Sequence, residues 1–240
     1  MICFFTSSPT IPGTNTLNPA NGFADELLEA LPYPCNAVFI CSNPDDPALN
    51  ERYGQETADC FEEQGVSFSD FAILDRRNAE DAAQLVASAQ FVILCGGHTP
   101  TQNRFFHEIG LKELLQAYDG ILMGVSAGSM NSAENVYAHP ELEGEAVDPN
   151  FTRFLQGLGL TQVSIIPHYQ AVKDDILDGL RLFEDIAIPD SMGRQLLVLP
   201  DGSYILSVDG QEELRGEAYL IQDGVMEQIS SEGDVIPMDD

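Results

Sequence analysis

Ser126 is the residue from which chemistry is most readily built. It stands in Gly124-Val125-Ser126-Ala127-Gly128, directly after the apolar run Gly120-Ile121-Leu122-Met123. This spacing fits a G-x-S-x-G nucleophile elbow, in which a strand ends and a helix begins within one sharp turn. The flanking glycines suit that turn because it crowds backbone against backbone, where a Cβ has no room. The geometry would lift the Ser126 hydroxyl to the tip of a sheet. It would also set the Ala127 N–H at a helix N-terminus, where an oxyanion can be held. The bare pattern recurs by chance in many chains. Here the strand-like run before it and the helical run Ser129-Met130-Asn131-Ser132-Ala133-Glu134 after it supply the required context.

A serine needs a base, usually a histidine oriented by a carboxylate. The chain holds His98, His107, His139 and His168. His168 follows the apolar run Val163-Ser164-Ile165-Ile166 and Pro167, at the carboxyl end of an expected strand, where α/β enzymes place their reactive groups. It also follows the serine in chain order, as in elbow hydrolases; a half-exposed loop histidine is the alternative. His107 falls inside a helical run. His139, beside Pro140, is a weaker rival base. His98 follows Gly96-Gly97 at a strand end, and that glycine pair could offer a second backbone N–H to an oxyanion. Cys95 ends the same strand and reads as core rather than as a nucleophile.

The elements that must position these residues alternate through the first half. Strands are expected at Ile2 to Thr6, Ala37 to Cys41, Phe68 to Leu74, Phe91 to Cys95 and Gly120 to Gly124. Helices are expected at Gly22 to Leu31, Leu49 to Gln64, Ala79 to Ala89 and Gln102 to Tyr118. Such alternation implies an α/β fold, a doubly wound, mostly parallel sheet with helices on both faces. Continuous apolar strands fit burial on both sides. From about Gln195 the pattern changes to short runs broken by Pro200-Asp201-Gly202, Asp209-Gly210 and Asp223-Gly224, which read as β-hairpins. These are expected to extend one edge of the same sheet, giving a single domain over 1–240 that ends in an acidic tail at Asp239-Asp240.

Composition bounds the function. With 240 residues, 44% of them hydrophobic, the chain can bury a full core. The 39 acidic against 10 basic residues give a formal net charge of −29. Such a surface repels phosphate backbones and anionic lipid, so neither nucleic acid nor membrane is expected as a partner. No run is long enough to span a bilayer, and the first residues lack the basic start of a signal peptide, which points to the cytoplasm. Cys3, Cys35, Cys41, Cys60 and Cys95 form neither a C-x-x-C pair nor a zinc-like Cys/His cluster, and read as reduced, buried thiols.

Taken together, Cys95-Gly96-Gly97-His98-Thr99, Gly124-Val125-Ser126-Ala127-Gly128 and Ile166-Pro167-His168-Tyr169 resemble the peptidase E family of serine peptidases, family S51, which also holds cyanophycinases. The likeness runs over roughly residues 1–210. It implies a class I glutamine amidotransferase-like fold and a Ser-His-acid triad, with Ser126 as nucleophile, His168 as base and the Gly97 and Ala127 N–H groups as oxyanion hole. The resemblance carries the acid onto Glu141, in a loop where Glu143, Glu145 and Asp148 are close rivals. His98, Thr99 and Tyr169 beside the motifs are expected on the substrate. The activity implied is hydrolysis of small peptides, as in a dipeptidase, with no metal or cofactor; a homodimer is an admissible assembly. An esterase or amidase with the same triad, or a ligand-binding scaffold, are the alternatives. Family members selective for aspartate use an arginine after the histidine. Here that segment is Gln170-Ala171-Val172-Lys173-Asp174-Asp175-Ile176-Leu177-Asp178, with only Lys173 and the following Arg181 as cations.

Overall fold

Five apolar runs become the parallel half of one large sheet. The computed structural model describes residues 1–238, so Asp239-Asp240 lie outside the described residues. Strands β1 (Ile2–Thr6), β2 (Cys35–Ile40), β3 (Phe68–Leu74), β4 (Phe91–Leu94) and β5 (Ile121–Val125) pair in the order β1-β5-β4-β2-β3, all parallel. Every residue of β4 is buried, as a central parallel strand requires.

Between the strands run α1 (Phe23–Ala30), α2 (Pro47–Glu63), α3 (Ala82–Ser88), α4 (Thr99–Glu108), α5 (Leu111–Leu115) and α6 (Ala127–Ser132). Asp46 caps α2 by accepting from the Leu49 N–H, and Pro47 opens the helix where its missing N–H costs nothing. Two boundaries differ from the sequence expectation. The helix expected over 102–118 is divided into α4 and α5 by Gly110, whose φ of 64° is left-handed. The helix expected from Ala79 begins as a 3-10 turn at Arg76–Asp81, tied by the Asp75 side chain.

After α6 come β6 (Asn135–Tyr137) and β7 (Phe154–Gln156), an antiparallel pair, then the two-residue β8 (Ile165–Ile166) and α7 (Tyr169–Val172). The short strands β9 (Ile176–Leu177) and β10 (Leu180–Arg181) follow as a hairpin. The remaining strands are β11 (Gln195–Val198), β12 (Tyr204–Val208), β13 (Gln211–Arg215), β14 (Ala218–Gln222), β15 (Val225–Ser230) and β16 (Val235–Met238). They do not all extend one edge. Antiparallel β12, β13 and β16 complete the eight-stranded sheet beyond β1, whereas β11, β14 and β15 join β8 in a separate four-stranded sheet. The division follows from β8: pairing parallel with β11, it draws that strand and its hairpin partners away from β1. The turn at Pro200-Asp201-Gly202 therefore links two sheets.

Each sheet has its own packed side chains. Phe4, Phe23 and Tyr204 meet ring to ring beside the large sheet, while Tyr137, Ile166, Phe183 and Val198 pack in a second cluster.

Candidate active site

The parallel strands deliver their carboxyl ends to one place, as open α/β sheets do. β5 ends at Ser126, whose φ of 50° and ψ of −109° lie where residues with a Cβ are strained. Neighbours hold it there. Its N–H donates to the Thr6 carbonyl at 3.1 Å, and its carbonyl accepts from the Met130 N–H at 2.9 Å to open α6. The elbow also needs its last glycine: a Cβ on Gly128 would stand 2.2 Å from the Leu94 carbonyl oxygen of β4. The strain is of the order of 1–3 kcal/mol and persists because the surroundings over-determine the turn.

β8 ends at His168, which begins α7 in a left-handed conformation, φ 59° and ψ 33°. Its Nδ1 lies 2.7 Å from Asp201 Oδ1. Ser7, at the end of β1, ties the pair together: the His168 N–H donates to Ser7 Oγ at 2.7 Å, and the Ser7 hydroxyl donates to Asp201 Oδ1 at 2.7 Å. The Asp201 N–H in turn donates to Gln170 Oε1 at 2.9 Å. Burial works against the Asp201 carboxylate, yet the hydrogen bonds from His168 and Ser7 and the histidine's charge hold its pKa below the ordinary value. An ionised carboxylate only accepts, so the His168 proton belongs on Nδ1 and Nε2 is the acceptor. Among the described residues Nε2 has no hydrogen-bond partner.

Ser126 and His168 together line two cavities. One, of about 460 Å³, runs over Gly96 and Gly97 to Leu17, Phe39, Phe61, Ile93 and Met123. The other, of about 410 Å³, is bounded by His139, Pro140, Glu141, Pro167 and the segment from Val172 to Leu182. Among the described residues no hydrogen bond joins Ser126 Oγ to His168; such contacts commonly tighten only around substrate. The N–H groups of Gly97 and Ala127 also have no partner there, so both are free to donate. Gly97 has a φ of 146°, and a Cβ on it would meet Ser42 Oγ at 2.2 Å.

The model of peptidase family S51 matches residues 4–214. The chain belongs to peptidase family S51. This places it among serine peptidases. Two solved structures share its fold. A peptidase from an acI-B1 Actinobacterium superposes with a TM-score of 0.66 at 18% identity, covering 99% of this chain and 96% of that one. A peptidase E-like protein from Listeria monocytogenes EGD-e gives a TM-score of 0.55 at 16% identity, covering 95% and 98%. At such identities the likeness speaks for the fold alone. Comparison with curated proteins finds no match.

Within this S51 chain several expected site residues stand elsewhere. Glu141 does not touch His168; its Oε1 accepts from the Thr99 N–H at 3.2 Å, because the 138–148 loop packs against the start of α4. Of its rivals, Glu145 accepts from the Glu141 and Leu142 N–H groups and pairs with His98 Nε2 at 2.9 Å. Asp148 turns back on Asn150. His98 is held at both ring nitrogens, its Nδ1 lying 2.7 Å from Thr101 Oγ1. Thr99 is fully buried against Met130, and Tyr169 packs on Phe183 and Tyr219. None of these three lines either cavity beside Ser126. His107 Nε2 pairs with the Gln156 carbonyl. His139 faces the second cavity, but its Nδ1 meets only the Pro140 carbonyl, at 3.2 Å, and no carboxylate.

The residues that meet His168 and that the sequence did not signal are Asp201 and Ser7. Asp201 sits in Pro200-Asp201-Gly202, which has the composition of an ordinary turn, and Ser7 follows an ordinary first strand. Cys95 borders the first cavity, but burial pushes its thiol up to about 12 despite hydrogen bonds with Ser42 and Gly96, leaving no thiolate for attack. Among the described residues no helix is long and apolar enough to cross a membrane.

Proposed function

We propose that the chain hydrolyses small peptides through a Ser126–His168–Asp201 triad and an acyl-enzyme. One observation carries the reading: His168 binds a half-buried carboxylate through Nδ1 while its Nε2 is uncommitted, facing the cavities that Ser126 lines. Ser126 Oγ attacks the scissile carbonyl carbon as its proton passes to Nε2. The oxyanion rests on the Gly97 and Ala127 N–H groups. When the C–N bond breaks, Nε2 returns the proton to the leaving amine. Water then attacks the ester carbonyl, giving its proton to Nε2; as the ester C–O bond breaks Nε2 passes that proton to Ser126 Oγ, and the acid product is released.

Asp201 takes the place expected of Glu141. It fixes the imidazole tautomer and stabilises the imidazolium that forms. Cavities of about 460 and 410 Å³ suit a dipeptide-sized substrate. Five free, buried cysteines accord with a reducing, cytoplasmic setting. The test is a dipeptide-library screen of wild type against Ser126→Ala, read beside labelling of Ser126 by an alkyl fluorophosphonate. Hydrolysis and labelling should both vanish in the variant, with its unfolding midpoint little changed. Hydrolysis persisting near the wild-type rate would put the nucleophile elsewhere. Labelling with hydrolysis of esters but of no peptide would make the chain an esterase.

A further inference from the structure

The two cavities at Ser126 differ in what they could hold, and the larger one has a definite chemistry. Its apolar lining is Leu17, Phe39, Phe61, Ile93 and Met123, all buried core side chains. Its polar lining includes the neutral Thr10, Thr14, Asn15 and Thr57. The charged side chain on the lining is Glu56, an exposed residue of α2. Among the described residues no lysine or arginine lines the cavity. Arg52, one turn earlier on α2, lies over the Tyr53 ring and approaches Glu56 at 4.0 Å, outside the lining. Beyond Ser126 the second cavity adds Glu141 and Asp175 and again no lysine or arginine. Arg181, in the segment after His168, is engaged with Asp185 and Glu184.

From this lining we propose that the substrate residue whose carbonyl acylates Ser126 carries an apolar side chain, aliphatic or aromatic, seated in the cavity over Leu17, Phe39, Phe61, Ile93 and Met123, and that acidic residues are refused there. The proposal rests on Ser126 being the nucleophile. Ser126 and Gly97 both line this cavity, and Gly97 does not line the second, so a carbonyl held between the two has this space beside it for its side chain. An apolar group entering it loses water against side chains that give nothing back to water. A carboxylate entering it would shed its hydration, meet no cation, and sit within the field of Glu56 and a chain of net charge −29.

The test uses diphenyl aminoalkylphosphonates, which phosphonylate a serine nucleophile and carry a chosen side chain on the acyl side. Labelling rates for the leucine, phenylalanine and aspartate analogues are followed by intact mass. Leucine and phenylalanine analogues should react at least ten times faster than the aspartate analogue. Thr57→Lys adds a cation to the cavity wall from the half-buried face of α2, without touching Ser126, His168 or Asp201. It should narrow that ratio at least fivefold. Equal or inverted rates, in a protein whose Ser126 still reacts with an alkyl fluorophosphonate, overturn the pocket assignment alone. If no reagent labels Ser126, the nucleophile assignment fails and the pocket assignment falls with it.

Discussion

Among the described residues two histidine–carboxylate pairs are formed, and they are nearly matched in distance. His168 meets Asp201 at 2.7 Å, and His98 meets Glu145 at 2.9 Å. Both carboxylates are held below their ordinary pKa against the cost of burial, Asp201 by His168 and Ser7, Glu145 by two backbone N–H groups and His98. Neither a short distance nor a lowered pKa tells them apart. What separates them is the other ring nitrogen. His98 spends both, one on Glu145 and one on Thr101, and so pins the 138–148 loop to the head of α4. His168 spends one and keeps Nε2 free, facing the cavities that Ser126 lines. A histidine that is to move a proton needs an uncommitted nitrogen; one that fastens a loop does not.

The sharpest way to break the comparison is to truncate each histidine. His168→Ala should lower kcat for peptide hydrolysis on the order of 10³-fold or more, since a member of a unit acting together is being removed. His98→Ala and His139→Ala should each cost less than about tenfold. Steady-state kinetics on a cleaved dipeptide decides it; equal losses at His98 and His168 would remove the distinction drawn here.

The carboxylates give the next contrast. Asp201→Asn keeps the shape but offers His168 an amide that can favour the wrong tautomer, and should reduce kcat on the order of 10³–10⁴-fold with KM little changed. Glu145→Gln weakens acceptance from two backbone N–H groups and should appear mainly as stability, about 1–2 kcal/mol in urea unfolding. Glu141→Gln should behave like Glu145→Gln in rate. A large kcat loss at Glu141 with none at Asp201 would restore the loop glutamate as the acid.

That Ser126 and His168 meet at one place was legible in the sequence, whereas the carboxylate partner of His168 was not, for a physical reason. Ser126 and His168 were readable because each follows the carboxyl end of an apolar strand that pairs in parallel with a neighbour, β5 in the eight-stranded sheet and β8 in the four-stranded one. The carboxylate that meets His168 was not, because Asp201 lies on a connection whose path depends on how the last strands sort. Pro200-Asp201-Gly202 has the residues of a hairpin turn, and with all hairpins assigned to one sheet nothing directs that turn toward β8. Once β11 pairs with β8 and β12 with β1, the turn must cross from one to the other, past Ser7 and His168. On the loop to which the resemblance carries the acid, the side chains of Glu141 and Glu145 meet His98 and backbone N–H groups rather than His168.

A smaller effect is expected at Ser7, whose hydroxyl holds Asp201 while accepting from the His168 N–H. Ser7→Ala removes two hydrogen bonds, one from each partner, and should lower kcat about tenfold at unchanged fold, within the range by which supporting hydrogen bonds affect a site. The two pairs should agree, by contrast, in stability against pH. Each carboxylate has a folded pKa below its ordinary value, 3.8 for Asp201 and 4.5 for Glu145. Each therefore contributes stability that is present above that value and lost as pH falls through the lower folded one. Removing either carboxylate should flatten the acid side of the stability profile, in urea unfolding from pH 7 down to pH 3. A profile unchanged in both variants would mean that neither carboxylate is held low by folding.

The smallest effect concerns the strain that the site carries and the His98 pair does not. Ser126 has a φ of 50° and a ψ of −109°, near the mirror image of an extended conformation and open to glycine without a Cβ clash. His98, in contrast, has an ordinary extended backbone, φ −73° and ψ 112°. Ser126→Ala and Ser126→Gly both remove the nucleophile, so neither should hydrolyse peptide. They should differ in stability. Alanine retains the strained Cβ, whereas glycine releases strain of the order of 1–3 kcal/mol and gives back part of it through the greater freedom of the unfolded chain. The glycine variant should therefore be the more stable, by about 1 kcal/mol, in urea unfolding at pH 7. The same pair of changes at His98 should run the other way, glycine losing to alanine, because nothing there is strained. If Ser126→Gly is no more stable than Ser126→Ala, the elbow is not a place where the fold stores energy, and the contrast between the two histidine sites reduces to hydrogen bonding alone.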